Sequence, residues 1–269
     1  MFFLSKVTII VPTHSNYIDV CNIFFELFKK NWSDCEYDLI FSISGENKEI
    51  ENADTIYNGK NVSLPRCIYN ASLKKKSDIY ICMLGDAFIS EKVNSYEIAQ
   101  LIKEFEELGG EYASLILCKS KKKYTDSNLF FKQIYSKDHY AHSFIAFIAS
   151  HDFIINNFNS EITDFDFEMN YVMNEGIDGF YYPKHYIVKK NYLHLIPGIE
   201  KGRWNRKSFY IIKNKNKDVD LNGRKKIGLF YQIYIELYEK LIWILSTEKR
   251  KKIKKYLKKI FNIDFSSDE

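Results

Sequence analysis

The stretch Ser77-Asp78-Ile79-Tyr80-Ile81-Cys82-Met83-Leu84-Gly85-Asp86-Ala87-Phe88 starts with polar residues, continues as a nearly unbroken apolar run and places an acid directly after a glycine. A run of this length that is rich in β-branched and aromatic residues predicts a strand buried on both faces, as in parallel α/β sheets. Asp86 then lies at the carboxyl end of this strand, which is where open α/β sheets bind ligands. The alternative is that Gly85-Asp86 is only a turn that ends the strand.

The residues before this strand alternate between strand and helix patterns. Residues 7–11 predict a first strand that residues 12–16 close in a turn, because proline cannot continue a central strand. Apolar residues at helical spacing predict a helix over residues 17–32. A second strand over residues 37–44 and a helix over residues 64–73 follow. This alternation predicts a parallel, doubly wound sheet.

The composition is that of a globular protein. The 269 residues, 46% hydrophobic and 28% charged, are enough to bury a full core. The net charge of +4 arises from basic residues near the C-terminus, so we expect a local basic patch and no nucleic-acid partner. The five cysteines form no CxxC pair, which predicts reduced thiols in a cytoplasmic protein. We expect neither a signal peptide nor a membrane-spanning helix.

Three segments in this order resemble the nucleotide-sugar half of a family 2 glycosyltransferase with a GT-A fold: VTIIVPTHSN (7–16), YDLIFSISGEN (37–47) and RCIYNASLKKKSDIYICMLGDAF (66–88). In that family the first strand ends in a Pro-Thr-aromatic-Asn turn. An Arg and an Asn precede the third strand, which ends in an Asp-x-Asp-type motif. The resemblance implies that the nucleotide-sugar donor is bound by Pro12, Thr13, His14, Asn16, Arg66, Asn70, Gly85 and Asp86.

The base of the nucleotide is read in that family by an Asp at the end of the second strand. In this sequence Ser44-Gly45 occupies that position. Glu46 or Asp38 is expected to take over the contact of the missing Asp with the base. The resemblance also implies a divalent ion, Mn²⁺ or Mg²⁺, that neutralises charge on the leaving diphosphate. Its ligands are expected to be Asp86 and His194. The alternative for a lone histidine is a hydrogen-bonded structural role.

Residues 198–208 are basic and contain Arg203 and Trp204. They predict a flexible loop that closes over phosphates, with Trp204 stacking on a sugar or base of the donor. The alternative is an ordinary exposed loop.

Acids alternate in residues 161–171 and lead into a segment with helical periodicity. Acids in a first helical turn are stabilised by the helix dipole, which explains one or two of them without any chemistry. In the resembling family an acid at this place is the general base that acts on the acceptor hydroxyl. The resemblance gives this role to Asp166, with Asp164 as the alternative.

The predicted fold is α/β and GT-A-like (Rossmann-like), with a central, mostly parallel sheet flanked by helices and a C-terminal helical extension. Residues 1–200 form the GT-A-like domain, with the nucleotide-sugar half at 1–88 and the acceptor half at 89–200. Residues 201–269 form the basic loop and amphipathic helices. Within them the basic amphipathic segment 249–261 predicts either contact with an anionic membrane surface or a terminal helix packed on its own domain.

The predicted function is transfer of a sugar from a nucleotide-sugar donor to a hydroxyl of a glycan, glycolipid or glycoprotein acceptor in bacterial-type surface-glycan synthesis, with inversion if the resemblance extends to mechanism. We expect a cytoplasmic protein, with the inner face of the membrane as a possible site of attachment. One alternative is a catalytically silent GT-A-like module that binds a glycan, a nucleotide or a partner enzyme, suggested by Ser44 and Gly85. Another is a membrane or nucleic-acid adaptor that works through the basic tail.

Overall fold

The protein is described by a computed structural model that covers residues 5–117, 128–136, 138, 141–172, 179–221 and 223–242. The chain divides into two compact units, Met1–Lys225 and Lys226–Glu269. Residues 201–225, which the sequence assigns to the C-terminal extension, belong to the first unit.

The strands of the first unit are β1 (Val7–His14), β2 (Asp38–Ser44), β3 (Asp54–Tyr57), β4 (Ile79–Met83), β5 (Ala87–Ile89), β6 (Tyr112–Ser114), β7 (Phe131–Tyr135), β8 (Ala146–Ser150), β9 (Tyr181–Val188), β10 (Leu195–Pro197), β11 (Ile199–Glu200) and β12 (Arg203–Trp204). Eight of these strands form one sheet in the order β3-β2-β1-β4-β8-β6-β9-β7. Only β8 and β7 run against the direction of the others. The predicted α/β fold with a mostly parallel sheet is confirmed.

The helices are α1 (Ile18–Asn31), α2 (Leu64–Lys74), α3 (Ser95–Glu107), α4 (His151–Asn157), α5 (Asp164–Val172), α6 (Arg206–Lys215) and, in the second unit, α7 (Leu229–Ile242). Four of them begin at a polar side chain that accepts a hydrogen bond from the backbone N–H three residues further on: Ser63, Asn94, Ser150 and Asn205. Such caps satisfy backbone donors that have no partner inside the helix, which fixes where each helix starts.

The second unit contains α7, where the sequence predicts a helix. Residues 249–261 lie outside the described residues. No helix in the described part of the chain has both the length and the apolar character needed to cross a bilayer.

The first strand is longer than predicted. β1 continues through Pro12 to His14, and Pro12 pairs with Ser42 of β2. On its other side β1 pairs with β4 only as far as Ile10. Because the strand has a single neighbour from Val11 onward, proline's missing N–H costs less there than in a fully paired central strand. The expectation that Pro12 begins the turn is wrong, and the turn begins at Ser15.

The buried His142 meets the half-buried His185 of β9 in a cluster of aromatic side chains. His142 Nε2 and His185 Nδ1 are 2.9 Å apart, so that one ring donates a hydrogen bond to the other. The His142 ring also stacks on Tyr171 at a centroid distance of 3.6 Å. Burial lowers the pKa of His142 well below its ordinary value, and burial lowers the pKa of His185 to about 4. Both rings are therefore neutral in the folded protein at pH 7.

We expect these two histidines to make the protein less stable in mild acid. Between pH 6.5 and pH 4 the unfolded chain binds protons on them and the folded chain does not, so acid favours unfolding. Each histidine contributes a slope of up to about 1.4 kcal/mol per pH unit in this window. Urea unfolding from pH 7 to pH 4.5, compared between the wild type and His185→Asn, measures the difference in slope. Identical pH profiles for the two proteins contradict the assignment.

Candidate functional site

A pocket of about 240 Å³ opens at the carboxyl edge of the sheet. It is lined by residues from the end of β1, the turn after it, the start of α2 and the segment after β4: Pro12, Thr13, His14, Tyr17, Leu64, Leu84, Gly85 and Asp86. The donor-binding candidates Pro12, Thr13, His14, Gly85 and Asp86 are thus brought together. The carboxyl ends of neighbouring parallel strands share one edge, which is why residues far apart in the sequence meet here.

Asp86 is a half-buried acid in the wall of this pocket. Burial, with a smaller contribution from the Glu200 carboxylate, raises the pKa of its carboxyl to about 6, while a hydrogen bond to its own backbone and the charge of Arg224 act in the opposite direction. The Asp86 carbonyl accepts a hydrogen bond from Gly198 N at 2.8 Å, which ties the residue to the start of the β11–β12 hairpin. A carboxyl with this pKa changes its charge near physiological pH, which is typical of functional sites.

Gly85 is a glycine because Cys21 of α1 lies against it. A Cβ at position 85 would lie 2.6 Å from Cys21 Sγ, closer than real side chains approach one another. The thiol itself donates a hydrogen bond to Thr13 Oγ1 at 3.2 Å. An acid directly before Asp86 therefore has no space here, and Asp86 is the single carboxylate at the end of β4.

The end of β2 is covered by His14. Gly45 has a φ of +95°, and a Cβ there would lie 2.7 Å from His14 Nε2, so this turn requires glycine. Glu46 donates its N–H to Ser15 Oγ, while its carboxylate is exposed and pairs with Lys48 at 2.9 Å. Asp38 lies at the amino end of β2 and pairs with Lys75. Of the two acids proposed to read the base, only Glu46 lies at the pocket edge of the sheet.

Arg66 and Asn70 both hold parts of the fold together. The Arg66 guanidinium donates to the carbonyl of Asn159 and lies 4.6 Å from the Tyr69 ring. Asn70 Nδ2 donates to Asn58 Oδ1 at 3.1 Å. Neither residue lines the pocket, to which the same helix contributes Leu64. Their predicted contact with the donor stays a prediction.

Arg224 is a residue beside the pocket that the sequence does not predict. Its Nε and Nη2 donate to the Asp19 carboxylate at 2.6 and 2.8 Å, and Nη2 also donates to the carbonyl of Asn16 at 2.7 Å. Its guanidinium lies 4.6 Å from the ring of Tyr17, a pocket residue. Arg224 thereby fixes the turn after β1, which carries Asn16. No sequence signal points to a contact between residues 205 positions apart.

The predicted flexible loop over residues 198–208 is instead the β11–β12 hairpin and the start of α6. Trp204 is only 1% exposed, stacks on Phe88 at a centroid distance of 5.4 Å and donates its Nε1–H to the carbonyl of Leu221. Arg203, next to it, is exposed. The indole of Trp204 packs in the core, and neither residue lines the pocket.

His194 lies at the far end of the β5–β10 pair from Asp86. Its carbonyl accepts hydrogen bonds from Ser90, whereas the Asp86 carbonyl pairs with Gly198. Asp86 and Ser90, the residues bonded to Gly198 and His194, are four positions apart along the strand direction, which is about 14 Å at about 3.4 Å per residue. The structure does not bring this predicted ligand pair together.

The described residues do not fit a metal site held by the protein. No group of three or more His, Cys, Asp or Glu side chains in this part of the chain could hold a metal ion. A single carboxylate is a poor site for Mn²⁺ or Mg²⁺, both of which prefer several oxygen ligands. The divalent ion stays a prediction, and no step proposed below uses it.

No family model matches the chain, and no curated protein matches it either. Among solved structures the chain is similar to a cytidylyltransferase from Leptospira borgpetersenii serovar Hardjo-bovis, at 11% identity and a TM-score of 0.43 over 81% of this chain and 98% of that one. It is also similar to a CMP:2-keto-3-deoxy-manno-octonic acid synthetase complexed with CTP (14%, TM-score 0.43, 68% and 88%) and to S. aureus TarS (11%, TM-score 0.46, 81% and 40%). At these identities the likeness concerns the fold alone.

The predicted base Asp166 takes part in a capping box at the start of α5. Its Oδ2 accepts hydrogen bonds from the backbone N and Oγ1 of Thr163 at 2.9 and 2.7 Å, and Asp166 N donates to Thr163 Oγ1. These bonds to Thr163 lower the pKa of the exposed Asp166 carboxyl. The reciprocal pattern is a structural helix start. The role of Asp166 as general base stays a prediction.

Glu168, one helical turn after Asp164, is the acid of α5 that is turned towards the sheet. Its Oε1 accepts a hydrogen bond from Phe144 N at 2.8 Å. Burial raises the pKa of the Glu168 carboxyl, and the neighbouring Asp164 carboxylate adds to this effect. The sequence places Glu168 four residues after Asp164, a spacing that puts both acids on one helix face.

Proposed function

We propose that the protein transfers a sugar from a nucleotide-activated donor to an acceptor hydroxyl. The observation that carries the proposal is the pocket at the carboxyl edge of the sheet, where Thr13 and His14 of β1 meet Asp86 after β4. This edge is the ligand-binding edge of open α/β sheets. A pocket with apolar walls and a few polar groups suits a nucleotide, whose base is apolar on its faces and whose ribose and phosphates are polar.

Each part of the pocket has a distinct task in this reaction. Tyr17 and Leu64 provide apolar surface for the base or ribose, and His14 with Glu46 provides polar groups at the end of β2. The ionised Asp86 carboxylate accepts hydrogen bonds from hydroxyls of the ribose or the donor sugar and so orients the anomeric carbon.

The transfer itself is a single displacement with inversion. The acceptor oxygen forms a bond to the anomeric carbon while the bond from that carbon to the diphosphate breaks, and the electron pair leaves with the nucleoside diphosphate. The proton of the acceptor hydroxyl passes to a carboxylate of α5, for which Asp166 is the sequence-based candidate.

We further propose a glycan, glycolipid or glycoprotein acceptor in bacterial-type surface-glycan synthesis. The reaction then takes place in the cytoplasm or at the inner face of the membrane, where residues 249–261 contact anionic lipid.

A panel of nucleotide sugars, assayed for transfer or donor hydrolysis with Mn²⁺, with Mg²⁺ and with a chelator, tests the proposal. At least one donor is expected to turn over. Asp86→Ala is expected to lower that turnover about 100-fold or more, because a misplaced sugar loses the advantage of orientation. Asp218→Ala, which removes an exposed aspartate that pairs with Lys30, is the matched control. Turnover that is unaffected by Asp86→Ala contradicts the site.

A second candidate function is a silent module that binds nucleotides without turnover. The absence of space for a second acid beside Asp86, caused by Cys21, favours it. Calorimetry with nucleoside diphosphates, with and without Mn²⁺, separates the two functions. Binding without turnover of any donor supports the silent module, whereas no binding at all contradicts both.

A further inference from the structure

The acids of α5 point in different directions. Residues two apart on a helix differ by about 200° around its axis, whereas residues four apart differ by about 40°. Asp164 and Glu168 therefore share one face, and Asp166 lies on another. Phe167 is buried and packs against Phe147 and Phe158, which fixes the rotation of the helix against the sheet.

The face with Glu168 meets the carboxyl edge of the sheet next to the end of β4. In the antiparallel pairing of β4 with β8, Met83 lies opposite Ala146, and Leu84 N donates to the carbonyl of Ile145 at 2.8 Å. Leu84 lines the pocket, and Phe144 directly precedes Ile145 in the chain. Phe144 is the residue whose N–H bonds to Glu168. The Glu168 carboxylate is thus bonded to the residue next to the hydrogen-bond partner of Leu84, a pocket residue two positions before Asp86.

Asp166 differs from Glu168 in its surroundings. Its carboxylate is exposed and bonded to Thr163 at the start of its own helix. The bonds that lower the pKa of Asp166 make it a weaker base, whereas the burial that raises the pKa of Glu168 makes it a stronger one.

We infer that Glu168 is the carboxylate that accepts the proton of the acceptor hydroxyl. The inference rests on the proposed transfer reaction and names its base. As the acceptor oxygen bonds to the anomeric carbon, its proton passes to the Glu168 carboxylate. The bond between the anomeric carbon and the diphosphate breaks, and its electron pair leaves with the nucleoside diphosphate. The hydrogen bond from Phe144 N holds the carboxylate in place throughout. Asp164 on the same face acts on Glu168 through its charge.

Glu168→Gln is the sharpest test, because glutamine keeps an oxygen that can accept the Phe144 N–H bond but cannot accept the proton. We expect kcat to fall by about 10²–10⁴-fold, the usual contribution of a general base, with the donor KM and the melting temperature unchanged. Glu107→Gln makes the same chemical change at an exposed glutamate of α3 that pairs with Lys103, and it is expected to retain full activity. Asp166→Asn and Asp164→Asn are expected to lower kcat less than Glu168→Gln does.

The inference is overturned if the Glu168→Gln variant transfers sugar at the wild-type rate. It is also overturned if Asp166→Asn or Asp164→Asn lowers the activity more than Glu168→Gln does. If Glu168→Gln fails to fold, Glu168→Asp decides: this variant keeps a carboxylate, so measurable transfer with a displaced acidic limb of the pH profile supports the inference, and an unchanged pH profile overturns it. A wild type that binds nucleotides and turns over no donor contradicts the proposed function itself. The two failures are thereby distinguished.

Discussion

Replacement of Trp204 by alanine is expected to lower the free energy of unfolding by about 3–5 kcal/mol, the usual range for deleting a large aromatic side chain from a core. Trp204 is almost fully buried and packs on Phe88 and Phe209, so its removal leaves a cavity beside β5. It also leaves the carbonyl of Leu221 without the Nε1–H donor. Urea denaturation followed by circular dichroism measures the loss.

Two variants separate packing from ligand binding. Trp204→Phe keeps an aromatic ring and loses the hydrogen bond, so a smaller loss of about 1 kcal/mol is expected. Tyr210→Ala removes a half-exposed ring on α6 and should change stability by less than about 0.5 kcal/mol. A Trp204→Ala protein that is as stable as the wild type but binds nucleotide sugars more weakly contradicts the structural role of Trp204. That result supports the sequence-based prediction that Trp204 stacks on a sugar or base of the donor.

The elements that the sequence predicts well are those with a strong local pattern. The unbroken apolar run at Ile79–Met83 is β4, and the predicted helix over residues 64–73 is α2 (Leu64–Lys74). Such patterns reflect burial on both faces of a strand or on one face of a helix, and each is complete within a dozen residues. The short strands β5 and β10 carry no such pattern, because each is defined by the other, a partner far along the chain.

The prediction of a flexible loop over residues 198–208 rested on composition, and Gly198 shows why it failed. A glycine next to basic residues predicts a flexible loop, but Gly198 is small because a Cβ at this position would collide with the ring of Phe88. Its N–H bonds to the Asp86 carbonyl and its carbonyl accepts from Asn205 N. Close packing and flexibility both select glycine, and only the long-range contacts distinguish them.

The candidate site was predictable where it depends on strand direction. Thr13, His14 and Asp86 meet because β1 and β4 are parallel neighbours whose carboxyl ends coincide. His194 does not join them, because β10 runs antiparallel to β5 and carries it to the other end of the pair. Neither this reversal nor the contact of Arg224 with Asp19 has a local signal in the sequence.

Gly85→Asp restores an acid that the resembling family carries at this position, and we expect it to destabilise the protein strongly. The new Cβ would lie 2.6 Å from Cys21 Sγ, and overpacking of a core costs about 1–3 kcal/mol. A second carboxylate beside the half-buried Asp86 adds an electrostatic cost, because two neighbouring acids in a poorly solvated place repel each other. Gly228→Asp, at a glycine whose Cβ would meet nothing within 4 Å, is the control and should be nearly neutral.

A second substitution tests whether Cys21 causes this cost. In Cys21→Ala/Gly85→Asp the sulfur is gone, so the double variant should be more stable than the sum of the two single changes predicts, with a coupling of about 0.5–3 kcal/mol. The same double variant presents two carboxylates at the end of β4, and two oxygen ligands hold a divalent ion better than one. Calorimetry with Mn²⁺ should therefore detect tighter binding than in the wild type. If the two substitutions are additive in stability, Cys21 is not the reason for the glycine, and the single acid at this edge needs another cause.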